Sequence, residues 1–192
     1  MSLSIAPDSV PANIARKAAS IRLLVLDVDG VMSNGQLLFS AQGDELKAFN
    51  ILDGLGIKQL MTAGVDVAII TGRSSPLTAK RASDLGIKHL LQGREDKLDA
   101  LVELATQLGR TADEIAYMGD DLPDLSAIQF AGLGVTVPNG HWFVRQHADY
   151  CTTAGGGTGA VRELSDLILA SQNRLDALLA DYLLDAKVTS GQ

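Results

Sequence analysis

Short unbroken apolar runs alternate along this chain with longer segments whose apolar residues recur at helical spacing. Arg22–Asp27, Val65–Ile70, Ile87–Leu91, Glu114–Met118 and Gly132–Val137 are runs of strand length. Nearly continuous apolarity in a strand means burial on both faces, as in a parallel sheet sandwiched by helices. Asp53–Ala63, the stretch from Arg73 to about Leu85, Glu95–Leu108 and Leu122–Phe130 read as helices, with Gly64, Gly86 and Gly109 as stop signals. In Glu95–Leu108 the residues Leu98, Leu101, Val102, Ala105 and Leu108 make one apolar stripe. Ala148–Thr152 adds a last short strand. Ala160–Leu184 reads as one long helix, with Leu164, Leu167, Ile168, Leu175, Leu178, Leu179 and Tyr182 on a broad face. Alternating strand and helix predicts an α/β fold in one domain, a mainly parallel sheet with helices on both faces.

Three segments stand outside that alternation. Gly35–Phe39 and Glu45–Phe49 flank a turn at Ser40–Asp44, which predicts a β-hairpin. Residues 1–20 read as a loose lead-in with one helical turn. Gly155–Gly159 is glycine-rich, but no Gly-Lys-Ser/Thr follows it, so it reads as a flexible entry to the last helix rather than a nucleotide loop.

Composition narrows the function. The 192 residues suit one domain with a sizeable core, and because aromatics are only 4%, Leu, Val, Ile and Ala must fill it. The net charge of −7 argues against nucleic acid or an anionic membrane as partner. No run approaches the ~18 apolar residues of a membrane span, and the first twenty residues lack the apolar core of a secretory signal. The single cysteine, Cys151, leaves no intramolecular disulfide, and a cytoplasmic location is expected. His89, His141 and His147 lack zinc spacing, and Trp142 reads as a partly buried packing residue. An acidic chain that handles an anion needs local positive charge, from a metal or from particular Lys and Arg residues.

The chemistry collects where strands end. Leu23-Leu24-Val25-Leu26 runs directly into Asp27-Val28-Asp29-Gly30, and two like charges so close each resist ionisation unless a cation lies between them. Hard oxygen donors at a strand tip suit Mg²⁺. Two more strands end in polar groups, Thr71-Gly72-Arg73 and Gly119-Asp120-Asp121, and ligands of open α/β sheets bind beyond those ends. A carboxylate that attacks phosphorus, a carboxylate-held Mg²⁺, a hydroxyl with a backbone N–H, and Lys97 near a helix start are the parts of phosphoryl transfer.

In that order, Asp27-Val28-Asp29-Gly30, Thr71-Gly72-Arg73, Lys97 and Gly119-Asp120-Asp121 with Asp124 resemble the haloacid dehalogenase (HAD) superfamily of Mg²⁺-dependent phosphatases. The resemblance implies a Rossmann-like core, Asp27 as nucleophile and Asp29 as general acid/base. It also implies Mg²⁺ on Asp27, the main-chain carbonyl of Asp29 and Asp120, and Thr71 and Lys97 on the phosphoryl group. Asp121 and Asp124 would support those ligands or add one. From about Ile21 onward, Glu45–Asn50, Asp53–Ile57, Val67–Arg73 and Gly159–Glu163 resemble the 3-deoxy-D-manno-octulosonate 8-phosphate (KDO 8-phosphate) phosphatase family. That finer resemblance implies a hairpin in place of a cap domain, a homotetramer whose subunits complete one another's sites, and a C-terminal tail that closes over them. It implies substrate contacts from Asp29, Asn50, Ile51, Leu52, Asp53, Gly54, Lys58, Arg73, Arg81 and Lys97, and a role in lipopolysaccharide synthesis. Leu52 stands where some relatives carry a basic residue, and Lys58 where an arginine is frequent. A lysine lacks the bidentate fork for a carboxylate.

A phosphatase of a nine-carbon sugar acid 9-phosphate is the alternative on the same scaffold. A non-catalytic receiver domain uses similar residue types, but there the phosphorylated Asp lies on a later strand and the Lys comes near the end. Between Asp29 and Thr71 there is room only for a hairpin and one helix. One subunit alone would therefore leave its strand ends in solvent, where electrostatic interactions are weak, which also points to an oligomer.

Overall fold

Alternate side chains of each central strand feed two separate hydrophobic cores, one on each face of the sheet. The computed structural model describes residues 10–188, with side chains through Leu183; residues 1–9 of the expected lead-in and 189–192 of the expected tail lie outside it. Among the described residues six strands form one sheet, in the order β5 (His89–Gln92), β4 (Asp66–Thr71), β1 (Leu23–Leu26), β6 (Ile115–Met118), β7 (Leu133–Thr136), β8 (Tyr150–Cys151), every neighbouring pair parallel. On β1, Leu24 and Leu26 enter one core while Leu23 and Val25 enter the other; β4 and β6 divide in the same way. This is the physical content of the continuous apolar runs.

The first core lies under α1 (Ala12–Ser20), α2 (Ile51–Thr62), α3 (Pro76–Leu85) and α7 (Ala160–Ser171). The second lies under α4 (Lys97–Leu108), α5 (Leu125–Phe130) and α6 (Trp142–His147). The chain starts in the middle of the sheet at β1, builds outward through β4 and β5, then crosses back to β6 on the other side. That reversal opens a crevice at the carboxyl ends of β1, β4 and β6, the place where such sheets bind ligands. The hairpin of β2 (Leu38–Phe39) and β3 (Glu45–Leu46) is a separate two-stranded unit. It is shorter than the expected 35–49, although its turn falls at Ser40–Asp44 as read.

Three expectations need correction. Residues 12–20 are not a loose lead-in: α1 is a nine-residue helix with Ile14 and Ala18 buried, and Lys17 pairs with Asp149 at 2.6 Å. Ile14 and Ala18 stand one helical turn apart, but alanines on the other faces of this short stretch blur the stripe. The long last helix is two, α7 and α8 (Leu175–Val188), broken at Asn173, whose φ of 56° lies in the left-handed region. Asn tolerates that conformation better than most residues, and continuous leucine spacing hid the break. Trp142 is 57% exposed at the start of α6, where the His141 side chain accepts from the Phe143 amide.

Replacing Ile14 by Ala should lower stability by about 2–4 kcal/mol, as for a fully buried aliphatic residue. A denaturant titration giving less than ~0.5 kcal/mol would mean that α1 is not docked in solution.

Candidate active site

At the crevice, a cleft of about 660 Å³ is lined by Asp27, Asp29, Thr71, Arg73, Lys97, Asp120, Asp121 and Asp124, with Glu95 at its edge. Strand β1 ends at Leu26, and the Asp27 amide donates to the Met118 carbonyl of β6 at 3.0 Å, carrying the ladder one residue further. The chain then leaves the extended form in a wide turn over Val28–Met32, so Asp27 and Asp29 reach the same cleft through a bend rather than through strand alternation. Asp27 is buried, as are Thr71 at the end of β4 and Lys97 at the first position of α4.

Lys97 Nζ lies 3.0 Å from Asp27 and 2.5 Å from Asp124. Asp124 is almost wholly buried and saturated: Oδ1 also accepts the Tyr117 hydroxyl at 2.9 Å, and Oδ2 accepts the amides of Asp120 and Asp121 at 3.2 Å each. Carboxylate oxygens of Asp27, Asp120 and Asp124 all lie within 4.8 Å of one another. With Asp124 spent on its donors, Asp27 and Asp120 form the pair open to a cation. Gly30 makes their approach possible. Its φ is 97°, and a Cβ there would stand 2.0 Å from Asp120 Oδ2.

The electrostatics carry the mark of a cation site. Burial, reinforced by the Asp124 charge, raises the Asp27 carboxyl to about 6 despite Lys97. Burial, with Asp27 and Asp124 adding to it, raises Asp120 to about 7. Burial by itself opposes the Lys97 ammonium, but two carboxylates outweigh it and the lysine is held charged. One lysine cannot neutralise three acids, and hard oxygen donors with an unmet demand for positive charge fit Mg²⁺.

Asp29 sits apart from this cluster. Its Oδ1 is paired with Lys47 Nζ, and its Oδ2 lies 3.7 Å from Arg73 Nε. Arg73 in turn donates to Glu45 at 2.7 Å, and Ser75 Oγ donates to Glu45 at 3.4 Å. Glu45 and Lys47 come from the hairpin's second arm, which therefore packs directly on the cleft. Behind the turn, Asn139 Nδ2 donates to the Gly30 carbonyl at 3.1 Å, while its Oδ1 accepts the Gly156 amide at 2.8 Å. A Cβ on Gly156 would lie 1.7 Å from the Gly30 carbonyl oxygen. The glycine-rich segment is thus a tight brace under the Asp-x-Asp turn, where a flexible entry to the last helix was expected.

Other expected substrate contacts lie outside the cleft of this subunit. Ile51, Leu52 and Lys58 are exposed on α2. The Asn50 side chain caps α2 by accepting from the Leu52 amide at 2.8 Å. Buried Asp53 accepts the Arg162 amide at 2.9 Å at the start of α7, and burial raises its carboxyl. Arg81 donates to the Asn50 carbonyl at 2.9 Å, lies over the Phe49 ring, and packs against Gly54. Asn50, Asp53 and Arg81 gather around the α2 N-terminus, and Lys58 lies further along the helix.

A model for haloacid dehalogenase-like hydrolases matches residues 89–162. The KDO 8-phosphate phosphatase of Yersinia pestis is 49% identical over 87% of this chain and 89% of its own. A crystal structure of the Moraxella catarrhalis KDO 8-phosphate phosphatase in complex with magnesium, phosphate and KDO superposes with a TM-score of 0.87, at 50% identity, over 88% of this chain and 97% of that one. The cobalt-bound enzyme of Haemophilus influenzae superposes at 0.80 with 42% identity, over 83% and 93%. This chain belongs to the KDO 8-phosphate phosphatase family. In that family's terms, the superfamily motifs read from the sequence, Asp27 through Asp124, converge in one cleft here. Sequence reasoning missed Lys47, Glu45, Tyr117 and Asn139. The alternation Glu45-Leu46-Lys47 was its one available signal.

The raised carboxyls set a pH dependence. A carboxylate whose folded pKa exceeds its unfolded value stabilises the fold below the unfolded pKa and loses that contribution as pH rises through the folded one. Metal-free protein therefore loses stability from the Asp27–Asp120 pair as pH rises through about 6 and 7, and a cation that displaces those protons gains affinity over the same window. The Mg²⁺-induced rise in melting temperature should be small at pH 5.5 and clearly larger at pH 7.5. An equal or larger shift at pH 5.5, by scanning calorimetry, would place the cation elsewhere.

Proposed function

We propose that this chain is a Mg²⁺-dependent phosphomonoesterase that hydrolyses KDO 8-phosphate to KDO and inorganic phosphate. The observation that carries the reading is the Asp27–Asp120 pair within 4.8 Å, with Lys97 3.0 Å from the nucleophile. The relative from Moraxella catarrhalis, seen with magnesium, phosphate and KDO, supports the substrate.

An Asp27 oxygen attacks phosphorus to form an aspartyl-phosphate, and the bond to the sugar oxygen breaks. Lys97 and the Thr71 hydroxyl hold the phosphoryl oxygens. Mg²⁺ on Asp27, the Asp29 carbonyl and Asp120 supplies neutralisation of the charge that builds on those oxygens. Asp29 gives its proton to the departing alkoxide, then takes one from the water that attacks phosphorus and releases phosphate and Asp27. Tyr117 and the amides of Asp120 and Asp121 hold Asp124, and Asp124 holds Lys97 in place. Arg73, at the mouth beside Asp29, is placed to receive the sugar-acid carboxylate by exchanging Glu45 for it.

The assembly belongs to the same reading. The hairpin exposes Leu37, Leu38, Phe39 and Leu46, between 46% and 62% each. Such a cluster at the rim of an open site suits burial against another copy in a homotetramer. Asn50–Gly54, Lys58 and Arg81 then serve the substrate across subunits. Among the described residues no helix is long and apolar enough to cross a membrane, and the site of action is the cytoplasm, where the product enters lipopolysaccharide synthesis.

Asp27→Asn should reduce phosphate release to background with KDO 8-phosphate and Mg²⁺, while Asp29→Asn should cost ~10²–10⁴-fold. Wild-type turnover by Asp27→Asn would remove the nucleophile assignment. In a panel of sugar-acid phosphates, faster release from a nine-carbon 9-phosphate would instead make that the substrate. Phe39→Asp should yield a smaller, less active species in sedimentation. A fully active monomer would overturn the assembly.

A further inference from the structure

Residues 45–49 alternate strictly, with Glu45, Lys47 and Phe49 partly covered and Leu46 and Ala48 exposed. On the covered side, Glu45 holds Arg73 and Lys47 holds Asp29 Oδ1. The Lys47 side chain is only 2% exposed. Burying an ammonium is costly, and a buried ion pair commonly adds little net stability compared with an apolar replacement. Asp29 Oδ2, by contrast, is buried and has no hydrogen-bond partner among the described residues. Lys47 holds one oxygen of the acid, and the other lies enclosed with Arg73 Nε 3.7 Å away.

We propose that Lys47 is a positioning residue for the proton transfer by Asp29. Its ion pair to Oδ1 fixes the orientation of the carboxyl at the cleft, and so makes the hairpin a working part of the site. The inference rests on the reading of Asp29 as general acid/base. Asp29 leaves the sheet in a turn, at φ −80° and ψ 111°, with Ser33 Oγ at 3.5 Å as its only neutral side-chain donor among the described residues. Its side chain is therefore oriented by the two cations of Lys47 and Arg73. Arg73 also holds Glu45 at the cleft mouth and is shared, whereas Lys47 contacts Asp29 alone among the described acids. A misplaced acid loses most of its effect, since proton transfer requires hydrogen-bond reach of the departing oxygen.

The test uses leaving-group dependence. A sugar alkoxide needs a proton as it leaves; p-nitrophenolate does not. Because hydrolysis of the aspartyl-phosphate is common to both substrates, the readout is kcat/KM, which reports the steps up to departure of the leaving group. For Lys47→Met it should fall at least ~10-fold more on KDO 8-phosphate than on p-nitrophenyl phosphate, in the same sense as for Asp29→Asn. Lys47→Arg, which keeps the charge and the reach, should restore most of that ratio. Lys47→Gln is read in parallel, so that a folding failure of the methionine variant, seen by circular dichroism, leaves the comparison intact. Equal losses on both substrates for the folded Lys47 variants, with Asp29→Asn selective, would overturn the positioning role while leaving the acid assignment standing. Equal losses for Asp29→Asn itself would overturn the acid assignment and the inference with it.

Discussion

Crowding of carboxylates around a single ammonium is the constraint on which this structure turns. At an effective dielectric of 20, two like charges ~4 Å apart repel by about 4 kcal/mol, so Asp27, Asp120 and Asp124 cannot all be ionised there unaided. The chain separates their fates by supplying donors unequally. Asp124 receives Lys97, Tyr117 and two backbone amides and so anchors the lysine. Asp27 shares the lysine, and Asp120 receives least. Those two are left poised, held together by the close pass of Gly30 and short of positive charge.

Such a cluster is tolerable only on a rigid base. Asp27 extends the β1–β6 ladder, Thr71 closes β4, and Gly119 to Asp121 follow β6, so three parallel strands fix the acids from below. The turn that carries Asp29 and Gly30 has no ladder of its own. It is braced instead by Asn139 and by Gly156, packed against the Gly30 carbonyl, with the Gly157 amide donating to the Val31 carbonyl at 2.8 Å. Residues more than 100 positions apart thus act on one turn. Side-chain hydrogen bonds to backbone in such a half-buried place serve that purpose well, because breaking one leaves a group short of a partner.

Much of this was legible in the sequence. Continuous apolar strands predicted the covered parallel sheet, and acids at the ends of β1 and β6 predicted the cluster, because strand ends converge at a reversal of strand order. What stayed hidden were contacts between distant segments. Helix α1 buries Ile14 and Ala18 one turn apart, a spacing blurred by alanines on its other faces, and Asn173 breaks a leucine pattern that runs on across it. Lys47 looked like any lysine on an exposed hairpin, and only the fold places its ammonium on Asp29. Asn50, Lys58 and Arg81 matched a family pattern, yet Asn50 and Arg81 meet at the start of α2 and Lys58 is exposed further along it, outside the cleft. A sequence pattern matches residue types without saying where in the fold they lie.

The hairpin shows how a small phosphatase can do without a cap domain. A cap excludes water and brings specificity residues over the phosphate, but it needs its own core. Two short strands cannot supply one, since an isolated hairpin is marginal in water. Here each face of the second arm leans on something else. Glu45 and Lys47 grip Arg73 and Asp29, whereas Leu46 with Leu37, Leu38 and Phe39 turns apolar surface outward. Strand periodicity puts the two sets on opposite faces of one ribbon. A partner that covered the apolar face would also stabilise the ribbon that holds Asp29, so occupancy of that face and geometry at Asp29 would be linked through a single strand.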